Sequence, residues 1–414
     1  MQYGLLPALA AIIGAVSGTP MSLLSPRQAQ GLHTAMVAAG REYFGTCLTV
    51  RNDQAESTIM ASNDFGSITP ENAMKWDAIQ PSQGQFSWGA ADQHANWATQ
   101  NGKQLRCHTL VWYSQLPSWV NGINNNATLY QVMQNHISTV MGRYKGKCTH
   151  WDVVNEALNE DGTYRDNVFL RVMGEAYLPI SFQLAEAADP GTKLYYNDYN
   201  LEYGKEKAEG AVRIVKLVQS YGARIDGVGL QGHMVTESTS TQETPTPPQE
   251  ELAATLRMFT DLDVDVAYTE VDIRMNTPSN AQKLQVHAEA FARMMGACMD
   301  VERCVGFTVW GVSDKYSWVP QTFSGEGDAL LWDNNMQKKP AYQATLDAIV
   351  NYKPPAPEPE EPVEPETPAE PETPVESETP AEPETPAEGE ESEETPAPAP
   401  TEPAEPAEPA EPAE

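Results

Sequence analysis

Two glutamates stand out by the stretches that carry them. Glu156 closes the apolar run HWDVVNE, and Glu270 lies within VAYTEVDI. Two strand-borne carboxylates delivered to one rim can flank a scissile bond, one protonating a leaving oxygen while the other attacks or stabilises a cationic carbon. For either residue alone a salt-bridged core carboxylate is the plainer reading, and the pairing is what favours chemistry. Other polar and aromatic groups fall at comparable strand ends: Glu71 and Asn72, His108 and Trp112, Asn155, Asn197, Gln231 and His233, Asp272, and Trp310. Trp76, Trp112, Trp119, Trp310, Trp318 and Trp332 sit at strand ends or in loops, so some should line the same mouth. Aromatic faces suit the C–H faces of sugars, and sugar hydroxyls need Asn, Gln, Lys and Glu partners. Asp198, His233, Glu270 and Asp272 are conceivable metal ligands, but no HExxH or comparable spacing supports a site, so no metal and no cofactor are expected.

The elements that must position these groups are legible. Eight stretches have strand character: YFGTCLTV from Tyr43, SITPENA from Ser67, LRCHTLVW from Leu105, THWDVVNE from Thr149, KLYYNDYN from Lys193, GVGLQGH from Gly227, DVAYTEVDI from Asp265 and GFTVWGV from Gly306. Most are followed by room for a helix. Lys205–Tyr221 carries Ala211, Ile214, Val215 and Val218 on one helical face, with Gly222 as a stop. A second helix runs from Ala281 toward Met299 with Leu284, His287, Phe291 and Met294 on a stripe. Eight alternating units predict an α/β fold, a parallel (β/α)8 barrel, with branched apolar side chains inside and chemistry at the C-terminal rim. A doubly wound open sheet is the alternative, weakened by the lack of a Gly-rich phosphate turn after the first strand.

Charge and composition set the boundaries. The chain has 414 residues with 26 Lys plus Arg against 58 Asp plus Glu, and the 61 residues from Pro354 hold 21 Glu and 19 Pro without Lys, Arg, Cys or an aromatic. Such a tail lacks the side chains that a core needs and reads as an extended, self-repelling spacer. The rest keeps a net charge of 26 − 37 = −11, which argues against nucleic acid and anionic membranes as partners. The apolar run GLLPALAAIIGAV before small residues reads as a secretory signal over residues 1–18. Then come a short pro-segment or extension (19–27), a catalytic barrel (28–352) and a disordered low-complexity tail (353–414). Export to the extracellular space permits disulfides: Cys298 and Cys304 can close a small loop, Cys107 and Cys148 can pair if their strands are neighbours, and Cys47 is left over. Asn126-Ala127-Thr128 is an N-glycosylation sequon.

TPENAMKW, HTLVW, WDVVNEAL, QGH and TEVDIR, in that order and spacing, resemble the secreted fungal endo-β-1,4-xylanases of glycoside hydrolase family 10 across about residues 28–352. The resemblance implies a monomeric enzyme that binds xylan and xylo-oligosaccharides and cuts internal β-1,4 bonds by a retaining double displacement. Glu156 would be the acid/base and Glu270 the nucleophile. His233 would hydrogen-bond Glu270, with Asp272 supporting His233; Asn155 and Gln231 would hold the sugar at the cleavage point. Lys75, His108, Trp112, Trp310 and Trp318 would wall that sugar, and Glu71, Asn72 and Gln115 would bind the next unit on the non-reducing side. Asn197 counts with the substrate-binding residues, and Tyr199 would be a platform on the leaving side. Two departures bear on this: Tyr113 stands where the family often has His, and the run Val319–Ala329 is longer than the common form, which bears on the roof near Trp318. An endoglucanase on a similar barrel and a non-catalytic barrel, such as a lectin or inhibitor, are the rivals; the second commonly lacks one of the paired carboxylates, and both are present here.

Overall fold

The computed structural model describes residues 31–353; the expected signal peptide, the extension after it and the acidic tail from Pro354 lie outside the described residues. The strands are β1 (Tyr43–Leu48), β2 (Ser67–Pro70), β3 (Gln104–Trp112), β4 (Cys148–Asn155), β5 (Lys193–Asp198), β6 (Gly227–Leu230), β7 (His233–Val235), β8 (Asp265–Asn276), β9 (Cys304–Val309) and β10 (Glu326–Gly327). β1 to β6, β8 and β9 pair in parallel in that order, and β9 returns to pair with β1. The barrel is therefore closed, with the C-terminal ends of all eight strands on one rim.

The expected strands differ from the observed ones mainly at the sixth. GVGLQGH is interrupted at Gly232, whose φ of 78° lies in the left-handed region. Beyond that turn, β7 pairs with the upper half of β8 and sets His233 opposite Asp272. β8 also runs on to Asn276, where Glu326 and Gly327 of β10 pair with it antiparallel.

Alternation along each strand sends one set of side chains toward the helices and the other into the lumen. Phe44, Ile68, Leu105, Trp151, Leu194, Val228, Val266 and Phe307 belong to the shared apolar core. The helices supply the other half of that layer. Glu206–Ser220 buries Ala211, Ile214, Val215 and Val218 and keeps Glu206 and Glu209 in its first turn, where the helix dipole favours negative charge. Gly222 caps its end at φ 67°.

The lumen departs from the apolar filling expected of it. Tyr43 on β1 and His150 on β4 meet at 5.6 Å although their strands are not neighbours, and His150 meets Tyr195 at 5.3 Å. The Arg106 guanidinium lies 4.6 Å over the Tyr195 ring and pairs with Asp152, both 1 % exposed. Room for these groups comes from glycines. A Cβ on Gly306 would fall 2.1 Å from the Tyr43 ring, and one on Gly229 would fall 2.2 Å from Asn197 Oδ1. Arg106 and Asp152 neutralise each other, which is why two charges can stay inside.

β3 and β4 are neighbours, and Cys107 and Cys148 are joined with Cα atoms 5.7 Å apart. Cys298 and Cys304 are joined at 5.2 Å, while Cys47 is buried and unpaired. Three of the six loop and strand-end tryptophans pack on the core. Trp76 stacks on His136 at 3.7 Å, and Trp332 is 1 % exposed between Phe65 and Tyr342. Trp119 also packs on the core. Among the described residues, no helix is long and apolar enough to cross a membrane.

Candidate active site

Glu156 is the first residue beyond β4, with φ 53°. Its backbone N–H donates to Asn197 O at 2.9 Å, so the chain turns while still tied to β5. Three donors converge on its carboxylate: Asn155 Nδ2 at 3.1 Å and Gln231 Nε2 at 3.0 Å to Oε1, and Trp112 Nε1 at 3.0 Å to Oε2. β4, the turn after β6 and the end of β3 thus fix one side chain between them. At 9 % exposure the group still reaches the rim.

Glu270 lies within β8. Its Oε1 accepts from Asn197 Nδ2 at 2.8 Å, and its Oε2 is 3.4 Å from His233 Nε2. The other ring nitrogen of His233 is 3.1 Å from Asp272 Oδ1, and Asp272 Oδ2 accepts from Trp318 Nε1 at 2.7 Å. Burial, the largest influence on His233, favours the neutral ring; the charge and hydrogen bond of Asp272 and those of Glu270 outweigh it and raise the pKa to about 10. His233 is therefore an imidazolium at neutral pH, held between two carboxylates. Burial likewise works to raise Glu270, but His233, through its hydrogen bond and charge, and His108 bring its pKa below the ordinary carboxylate value. Glu270 is thus kept as a carboxylate, the form that can act as a nucleophile.

The two centres are coupled. Asn197 Nδ2 also donates to Asn155 Oδ1 at 2.9 Å, and its own Oδ1 accepts from Thr269 Oγ1 at 2.6 Å. Asn197 is 0 % exposed, and its side-chain partners are Glu270, Asn155 and Thr269.

A second cluster stands beside the first. Lys75 Nζ donates to Asn72 Oδ1 at 2.9 Å and Gln115 Oε1 at 2.7 Å, and lies 4.9 Å over the Trp112 ring. Burial pulls its pKa down, against the charges of Glu270, Glu71 and Glu156. Glu71 accepts from Thr49 Oγ1 and lies 3.6 Å from Arg51. His108 and Trp310 meet edge to face at 5.8 Å. On the far side, the Tyr199 hydroxyl accepts from Arg165 Nη2 at 2.6 Å, with Lys207 Nζ 3.2 Å from its ring centroid. Arg165 also lies 4.5 Å over Tyr113.

Among the supporting groups, Asp152, Arg106 and Glu202 escape a reading of the sequence, and Asp198 is legible there only as a conceivable metal ligand. Asp152 Oδ2 lies 3.0 Å from His108 Nδ1, with Arg106 beyond it. Glu202 Oε1 accepts from the Gly232 N–H at 2.5 Å and braces the turn between Gln231 and His233; burial raises its pKa to about 7. Asp198 is 3.1 Å from Lys207 Nζ and accepts from the Tyr196 hydroxyl at 2.5 Å, with burial raising its pKa to about 6. A charged residue within or just beyond a strand is their only sequence signal.

Comparison with known proteins agrees with this arrangement. Residues 31–348 match the family described as Glycosyl hydrolase family 10. The chain is 70% identical over 328 residues to endo-1,4-beta-xylanase 1 of Gibberella zeae, covering 79% of this chain and 93% of that one. It is 70% identical over 323 residues to endo-1,4-beta-xylanase A of Fusarium oxysporum f. sp. lycopersici, covering 78% and 99%. Among solved structures, a GH10 xylanase from Bispora sp. MEY-1 with xylobiose superposes with TM-score 0.73 at 37% identity, over 77% of this chain and 99% of that one. With the closed parallel barrel, the two strand-borne glutamates and these matches together, the chain belongs to glycosyl hydrolase family 10.

Proposed function

We propose that the protein is an endo-1,4-β-xylanase that hydrolyses internal β-1,4-xylosidic bonds with retention, with Glu270 as nucleophile and Glu156 as acid/base. The observation that carries the roles is the unequal setting of the two carboxylates. Glu270 is held charged by the His233 imidazolium, which Asp272 holds in turn, whereas Glu156 receives only neutral donors. In the first step the Glu270 carboxylate attacks the anomeric carbon, the bond to the leaving oxygen breaks, and Glu156 gives that oxygen a proton. In the second, water attacks the same carbon, its proton passes to Glu156, and Glu270 leaves as a carboxylate. Asn72, Gln115 and Glu71 bind the next sugar unit on the non-reducing side; Lys75, Trp112, Trp310, Trp318 and His108 wall the reacting sugar, and Tyr199 meets the leaving side.

The substrate is xylan and its oligosaccharides, and the enzyme acts outside the cell as a monomer without cofactor, nucleic acid or membrane. Residues 1–18 direct export, residues 28–352 catalyse, and the tail serves as a spacer. Asn126, exposed at the start of the helix Asn126–Tyr144, accepts the N-glycan.

The test is a pair of substitutions. Glu270→Ala should abolish turnover on every substrate, and Glu156→Ala should spare the first step on aryl xylosides with good leaving groups, which need little protonation. Equal losses on such a substrate at both steps would refute the roles. Faster reducing-end release from carboxymethylcellulose than from xylan would refute the substrate.

A further inference from the structure

The roof residue Trp318 is held from outside the reacting centre. Arg274, near the end of β8 and 3 % exposed, is enclosed by acceptors from several segments. Nε donates to Glu326 Oε2 at 2.7 Å, Nη2 to Gln242 Oε1 at 2.9 Å and Thr241 Oγ1 at 3.2 Å, and Nη1 to Met234 O at 3.4 Å. Its flat face lies 4.1 Å from the centroid of Phe323. Phe323 in turn packs edge to face on Trp318 at 5.3 Å, and Trp318 packs on His233 at 5.1 Å while bonding Asp272. A continuous line of contacts therefore runs from Arg274 through Phe323 and Trp318 to the groups that hold Glu270. All of it lies in or beside the Val319–Ala329 run.

A buried ion pair is a poor way to gain stability, because desolvating two charges consumes most of their attraction. Its particular property is geometric. The planar guanidinium offers a fork and a stacking face at once, which one ammonium cannot. Here the fork ties the segment after β7 (Thr241, Gln242) to β10 (Glu326), and the face supports Phe323.

We propose that Arg274 is a positioning residue that clasps these two rim segments together, fixes the Trp318 indole over His233, and thereby sets both the rate and the tolerance for substituents on the sugar beside Trp318. This rests on the xylanase reading for its kinetic consequences. The clasp itself does not depend on turnover.

The variants are R274M, R274M/E326Q and F323A. R274M leaves Glu326 buried without its cation and should melt lower; the double variant removes that orphan charge and should recover most of the melting temperature. If the clasp positions Trp318, the double variant should still lose about tenfold in kcat/KM on linear xylotetraose, with a smaller loss on arabinose- or glucuronate-decorated oligosaccharides. F323A, which leaves no charge unpaired, should shift kinetics the same way. Hydrogen exchange of residues 318–329 should quicken in both. Wild-type kinetics and exchange in the double variant and F323A, within about twofold, would overturn the proposal. A wild-type chain inactive on xylan would refute the functional reading instead, and exchange alone would then decide the clasp.

Discussion

Asn197 donates to Glu270 Oε1 at 2.8 Å from a position with no exposed surface. Its Nδ2 is shared with Asn155 Oδ1 at 2.9 Å, so one sealed amide orients the nucleophile and the neighbour of the acid/base together. Asn197→Ala would strip Glu270 and Asn155 of a donor and leave Thr269 Oγ1 unpaired. The expected result is a fall in kcat on xylan of about 10²-fold with KM nearly constant, since the lost bonds orient a reacting group without touching bound sugar. Steady-state kinetics with a parallel thermal melt check this. A rise in KM alone would return Asn197 to the substrate-binding set.

The His233 environment gives a pH signature. Its folded pKa of about 10 lies above its ordinary 6.5, so its contribution to stability is fully present below about 6.5 and is lost as the pH rises through 10. Glu270 runs the other way: its folded value lies below 4.5, so its share is present above 4.5 and fades as the pH falls through the folded value. The pair therefore contributes most between 4.5 and 6.5. Urea unfolding of wild type and His233→Gln should show the largest gap near about pH 6 and a much smaller one near about pH 10. A gap that is constant or widens with pH would contradict the charged imidazolium.

The two disulfides close loops of very different size, with sequence separations of 41 for Cys107–Cys148 and 6 for Cys298–Cys304. Chain entropy alone assigns them about 4 and about 2 kcal/mol. Replacing each pair by alanine should therefore lower the melting temperature more for the first bridge, which also joins neighbouring barrel strands. The reverse order, measured by calorimetry under identical conditions, would show that burial of Cys298 and Cys304 outweighs loop size.

Strand positions are easy to read because each strand pairs an apolar outer face with turn signals and a following helix. Glu156 and Glu270 are readable for a related reason: a carboxylate carried in or just after an apolar strand has few structural excuses. The depth of Asn197 is not legible, because one-dimensional position cannot separate a side chain above the rim from one beneath it. Only Gly229, lacking a Cβ on the next strand, lets that amide turn inward. Arg106 and Asp152 give no such signal, since their pairing joins residues 46 apart across neighbouring strands. Trp76 and Trp332 have loop-like positions in the sequence, yet His136, Phe65 and Tyr342 enclose them.

The polar lumen bears on the order of assembly. The outer strand faces can meet their helices unit by unit, through contacts local in sequence, whereas Tyr43 reaches His150 only once distant strands are curved toward each other. Loop-closure cost delays such long-range contacts, and the dry outer layer is the part able to offset it. The ring should thus be drawn together from its periphery, with the contact of Tyr43 and His150 across the lumen set late. Kinetic φ-values should then be low for Tyr43→Leu and His150→Leu and higher for Ile214→Val and Val218→Ala, so that damage to the lumen speeds unfolding while leaving the folding rate nearly untouched.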